Sequence, residues 1–171
     1  MFLKLPMGAR AMPLSKVHRE AFLGGVISLG VDITLQKMAK KSVDFGRTIR
    51  IVSYSIASSY PQARYFDVLD SIFHKKTIQS AINKTIVNQI FFAPINISSA
   101  IAWNLFFESK PELIASKIKS SVIPSINEGA SYWIPLNIIA FSMISDYHRI
   151  MFFKLCSIPY KFIFTNRVFK K

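Results

Sequence analysis

Acidic residues are scarce in this sequence. Nine Asp and Glu stand against 22 Lys and Arg over 171 residues, a formal charge of +13. Cysteine is nearly absent, and the single thiol, Cys156, excludes a disulfide scaffold. The three histidines, His18, His74 and His148, lie too far apart for metal-ligand spacing. No Gly-rich phosphate loop and no nucleophile elbow can be found. No fixed period marks a repeat array. These absences point to a protein that is not an enzyme and that holds no cofactor or metal. Hydrophobic residues, by contrast, make up 51% of the chain, far too much for a disordered segment. The length suits one domain. Two classes remain, a basic nucleic-acid binder and a basic membrane protein.

The position of the charges separates them. Thr85 to Phe107 is a run of 23 residues without a charge, and about 20 helical residues cross a bilayer core. Gly129 to Ser145 is a second uncharged run, Ile51 to Ala63 a third, and Ala21 to Val31 a fourth that ends at Asp32. The stretch after Arg149 is apolar except for Lys154 and Lys161. A soluble helical domain with a very apolar core is the competing reading. It fits poorly, because Pro94 falls inside the longest run, where a proline costs a water-soluble helix about 3 kcal/mol. Basic residues sit in the gaps between apolar runs, as head-group anchors do, and not on one groove-reading face. No nucleic-acid partner is expected. The expected fold is all-α: an integral membrane bundle of about four transmembrane helices with short basic connections. Residues 1–16 form a basic tail and 17–168 a single transmembrane domain. Four helices put both termini on one side, which then carries the larger share of basic residues.

Several polar residues interrupt the apolar pattern. Asp32 is followed one helical turn later by Gln36. A carboxylate in a bilayer costs several kcal/mol unless paired or wetted, so Asp32 either faces the bundle interior or marks the interfacial end of the first helix. Asn88 and Gln89 are further intramembrane candidates, lining a wet path or bonding neighbouring helices. Arg47, Arg50 and Arg149 are candidates for structural ion pairs. Asp32 is expected to meet Arg47 or Arg50 at the start of the second helix, because antiparallel helices carry Arg149 to the opposite side. Asp67 and Asp70 pair with Arg64 or cap a turn. Lys154, Lys161 and Arg167 are candidates for lipid head groups, with membrane lipids, including anionic phospholipids such as cardiolipin, as partners. Ala21 with Gly25, and Gly24 with Ser28, place small residues four apart, a spacing that lets helix backbones approach closely in lipid. The first 19 residues carry four basic residues and no acid, which suits either a mitochondrial address or an ordinary basic membrane flank.

Five blocks of the chain carry a family resemblance. They are Ser28–Gln36 around Asp32, Asp44–Arg50, Pro61 with Tyr65–Asp70, Asn88-Gln-Ile-Phe-Phe-Ala-Pro94, and Tyr132-Trp-Ile-Pro135 with Phe141 and Arg149. From about Leu14 to Val168 the chain resembles the Mpv/PMP family of peroxisomal and inner mitochondrial membrane proteins. The resemblance implies a small four-helix integral membrane protein. It departs from the family pattern where Val31 separates Gly30 from Asp32, where Ser58 and Ser59 replace glycines, and where Asn88 replaces an Asp. Ala140 and Ser145 likewise stand for Asn and Pro, and Thr165 precedes Asn166 where the family has Trp. The resemblance leaves two functions. One is an accessory subunit packed with other membrane-protein subunits in a larger, respiratory-chain-like complex of the mitochondrial inner membrane, favoured by the drifted positions. The other is a weakly selective channel for ions or small solutes in the mitochondrial or peroxisomal membrane, favoured by the retained Asp32, Gln36, Asn88 and Gln89.

Overall fold

The computed structural model describes residues 13–39, 42–74, 77–146 and 148–169, with side chains through residue 162. Most of the basic tail, and the Arg167 side chain, lie outside the described residues. Among the described residues every regular element is helical: α1 (Leu14–Met38), α2 (Phe45–Ala57), α3 (Ser59–Ile72), α4 (Ile78–Val87), a π turn (Asn88–Phe92), α5 (Ala93–Phe107), a 3-10 turn (Pro111–Leu113), α6 (Ile114–Ser142) and α7 (Arg149–Phe169). α2 runs into α3 through the single residue Ser58, and α4 runs into α5 through the π turn. The chain therefore makes five long rods: α1, α2–α3, α4–α5, α6 and α7.

Local chemistry sets the breaks. Asp44 starts α2 by accepting the Arg47 N–H at 2.9 Å, and Thr77 starts α4 by accepting the Ser80 N–H at 3.2 Å. Pro94 has no N–H to give the turn before it, and the backbone widens there into the π turn, as helices do where the ladder is interrupted. α5 ends in a Schellman arrangement: the Lys110 N–H reaches Leu105 O at 2.9 Å and the Ser109 N–H reaches Phe106 O at 3.1 Å. Ser109 takes the left-handed conformation that this ending needs, with φ of 58°, and Pro111 prevents any continuation.

The rods close into a ring. α1 packs on α2, α2 on α5, α4 and α5 on α6, α6 on α7, and α7 back on α1. α1 shows why. Val17, Ala21, Gly24, Ser28, Val31 and Leu35 are buried at alternating spacings of four and three, while Phe22, Val26 and Leu29 face outward. The inward stripe is small at its centre, so neighbouring helices come close. At one end of the bundle an apolar core gathers Phe66, Phe141 and Phe153, whose ring centroids lie 5.5 to 6.2 Å apart.

Five rods stand where about four were expected. The additional one is α7. Its lysines read as a basic boundary in the sequence, but Lys154 turns inward and the helix runs on. Four alternating rods would leave the first and last antiparallel; with five, the first and last described rods are parallel. α7 runs parallel to α1, with Lys154 beside Gly24 near its start and Lys161 within electrostatic reach of Asp32 further along. The described chain thus starts at one end of the bundle and finishes at the other.

Two rods, Leu14–Met38 and Ile78–Phe107, are long and apolar enough to cross a bilayer. The second keeps none of its most apolar window buried inside the molecule. The protein is expected to remain in the membrane pellet after alkaline carbonate extraction. Its recovery in the supernatant would contradict the membrane assignment.

Candidate functional site

The interior of the ring holds four polar groups, one near each end and two between them. At the end where α1 meets α2, Asp32 is buried, 3% exposed. Its Oδ2 accepts from Gln36 Nε2 and from Thr48 Oγ1, each at 2.7 Å. Its Oδ1 lies 3.2 Å from Arg47 Nη2. Gln36 completes the knot: its Oε1 accepts the Asp44 N–H at 2.6 Å, at the start of α2. Asp32 and Gln36 are one turn apart on α1 and so share a face, and the short connection brings Thr48 and Arg47 back across it. Arg50 makes a different bridge, 2.8 Å from Glu108 Oε1, and ties the start of α2 to the end of α5.

The opposite end is held by a carboxylate that the sequence does not single out for this role. Asp70, near the end of α3, takes Lys84 Nζ on Oδ1 at 2.6 Å and Arg149 Nη1 on Oδ2 at 2.7 Å. Arg149 also bonds Asp146 through Nη2. Its guanidinium lies 5.0 Å from the centroid of Phe141, a cation–π distance. One carboxylate thus joins α3, α4 and α7. Asp67, three residues earlier, sits 3.7 Å from Arg64 on the same helix.

At mid-height, Asn88 donates from Nδ2 to Asn137 Oδ1 at 2.9 Å, joining the π turn to α6. Asn137 turns its own Nδ2 to Trp133 O at 2.7 Å. Gln89 is half-buried in the π turn. Across the ring, Lys154 Nζ donates to Ser55 O at 2.8 Å and to Ser55 Oγ at 3.0 Å. A Cβ on Gly24 would come within 2.9 Å of Lys154 Cε, so the lysine stem lies where α1 has no side chain.

This placement corrects the head-group reading of Lys154. Its ammonium is inside the bundle, because Gly24 leaves a channel for the stem and the Ser55 carbonyl and hydroxyl receive the charge. Lys161, seven residues on and therefore on the same face of α7, is half-buried and faces the field of Asp32 rather than open water. Arg167 lies outside the described side chains. Among the sequence candidates, the structure brings Asp32, Gln36 and Arg47 together and keeps Arg50, Arg149 and Asn88 in separate contacts. Thr48, Ser55, Asp70, Lys84 and Asn137 complete those contacts and were not singled out for them. No group of three or more His, Cys, Asp and Glu suited to a metal ion occurs among the described residues.

No family model matches the chain, and no solved structure matches it. Three curated proteins of Dictyostelium discoideum are similar to it. It is 27% identical to PXMP2/4 family protein 4 over 169 residues, covering 88% of each chain. It is 25% identical to PXMP2/4 family protein 1 over 155 residues, 88% of this chain and 77% of that one. With PXMP2/4 family protein 3 the identity is 26% over 142 residues, 80% of this chain and 75% of the other.

Proposed function

We propose that this chain, similar to PXMP2/4 family proteins over 75 to 88% of their length, is a membrane protein of the Mpv/PMP type and acts as a non-catalytic structural subunit, packed by its outer apolar face into a larger assembly of the mitochondrial inner membrane. The observation that carries this reading is α5. None of its 15 residues is buried within the chain, and Ile95, Phe106 and Phe107 stand 54 to 64% exposed. A helix that turns so much apolar surface outward suits contact with other membrane helices. The inward polar residues support the same reading, since Asp32, Gln36 and Asn88 are engaged in interhelical bonds that brace the bundle.

The basic N-terminal stretch favours mitochondria over peroxisomes, and anionic lipids, cardiolipin among them, are the proposed annular partners. With Lys154 inside the bundle, the exposed Lys37 and Arg64 take over as head-group contacts, each contributing on the order of 1 kcal/mol and weakened by salt. After mild detergent extraction the protein is expected to migrate on a native gel in a large, stable complex. Migration only as a small free species would overturn the subunit reading.

A second reading, a weakly selective channel, is favoured by one specific observation, the lysine ammonium held on Ser55 inside the ring. Ionisable groups in that position commonly mark an ion or solute path. A free species that conducts in planar bilayers would establish it in place of the first.

A further inference from the structure

Most carboxylates of this chain are paired. Six of the nine acidic residues lie within 3.7 Å of a cation. Asp44 caps α2, and Glu112 sits in the 3-10 turn between rods. Glu128 is the exception. It is the central residue of the 29 in α6. It is exposed on the outside of the bundle, and among the described residues no cation or hydrogen-bond donor meets it.

Its depth gives this weight. α5 and α6 are joined by a short turn and run antiparallel, and the bond between Asn88 and Asn137 fixes the register of the two rods. Counting back from Asn137 to Glu128, and the same distance on from Asn88, leads to about Ile97, near the centre of the uncharged Thr85–Phe107 run. An exposed carboxylate at that level faces hydrocarbon, where it is strongly disfavoured without a partner.

The surrounding face is rich in acceptors. Pro124, Glu128, Ser131 and Pro135 recur at helical spacing and line one stripe of α6. All four are exposed. Neither proline has an N–H for the carbonyl one turn back, which frees acceptors at Ser120 and Ser131. The stripe thus presents two carbonyls and a carboxylate, and no cation. In lipid such acceptors need a protein partner. Two copies placed stripe to stripe would bring carboxylate towards carboxylate, so a second copy of this chain is not the complement.

We infer that this stripe of α6 is the docking face for a transmembrane helix of another subunit, and that the helix carries an arginine or lysine near mid-span whose charge Glu128 receives. The inference rests on the subunit reading and names the contact within it. The neighbouring α5 offers apolar area; Glu128 fixes the depth and rotation at which the partner helix seats. A guanidinium or ammonium has donors to spare for a freed carbonyl as well.

The test follows the full chain in its own membranes. After mild detergent extraction and native electrophoresis, Glu128→Leu is expected to lower the fraction in the large complex by about tenfold or more, the scale set by truncating one partner of a desolvated charge pair. Glu128→Asp should retain assembly, and Glu128→Lys should abolish it. The purified Glu128→Leu chain should keep its helical circular dichroism and unfold no earlier than wild type, because no group of its own bundle loses a partner; lost docking is thereby separated from lost folding. Ultraviolet cross-linking from a diazirine side chain at position 131 should join the chain to an apolar segment of another protein, with an arginine or lysine in the joined peptide. A Glu128→Leu chain that assembles like wild type overturns the docking face and leaves the subunit reading standing. So does a cross-link only to lipid, to a second copy, or to a segment without a basic residue. Wild-type chain found only as a small free species overturns both.

Discussion

Asp70→Leu should be the most damaging single substitution in this protein, lowering the stability of the detergent-solubilised bundle by about 3–5 kcal/mol, the range seen when one partner of a buried ion pair is removed. The size follows from the geometry. Asp70 receives Lys84 and Arg149 on its two oxygens, and the side chains of those cations are 8% and 2% exposed. Without Asp70, Lys84 keeps a buried charge with no carboxylate near it, while Arg149 retains only Asp146 at the rim. Three rods lose a common anchor. Lys84→Met in the Asp70→Leu background should recover part of the loss, because it removes the stranded charge, and the non-additivity measures the coupling. Equilibrium unfolding in mixed micelles reads the effect. A single variant that unfolds within about 1 kcal/mol of wild type would contradict the anchoring role.

Asp32→Leu is the second large effect, with an expected loss of about 2–3 kcal/mol, since it removes the acceptor that Gln36 and Thr48 share, leaving them only each other and Asp44, together with the counter-charge of the half-exposed Arg47. Asp32→Asn should cost only about 1 kcal/mol, because an amide oxygen still accepts a hydrogen bond from Gln36 or Thr48. The two variants differ in a second readout. Arg47 holds the start of α2 to α1, so limited trypsin digestion at Arg47 should accelerate much more in the Leu variant than in the Asn variant. Equal cleavage rates in wild type and Asp32→Leu would show that the arginine is not held by this carboxylate.

These two sites were unequally legible in the sequence. Asp32 and Gln36 share a helix face by spacing alone, and the next helix starts so soon that Arg47 and Arg50 are the natural cations at that end. Arg47 lies against Asp32, whereas Arg50 turns to Glu108, 58 residues away. Asp70 gave no comparable signal. Its neighbour Asp67 does what both aspartates were expected to do, bridging Arg64 locally, but Asp70 lies three residues further on and reaches Lys84 and Arg149. Its partner Arg149 is 79 positions distant, and only closure of the ring brings them together. Lys154 misleads for a different reason. Lysine has a long apolar stem that usually carries its charge to the membrane surface, and a lysine in a broken apolar run reads as a boundary. The inward path exists because Gly24 lies opposite, and a sequence does not show what lies opposite. The π turn was partly visible, through Pro94 inside an otherwise continuous run.

A ring with an odd number of members cannot alternate all the way round. Five helices laid up and down must place two neighbours side by side in the same sense, and here the mismatch falls between α1 and α7. Elsewhere adjacent helix dipoles oppose and partly cancel; at this seam they point the same way and repel weakly. The seam is also where α1 is thin, at Gly24, and the stem of Lys154 lies against it there. Parity therefore singles out one interface of the five as the one whose dipoles do not oppose, and that line runs past Lys154.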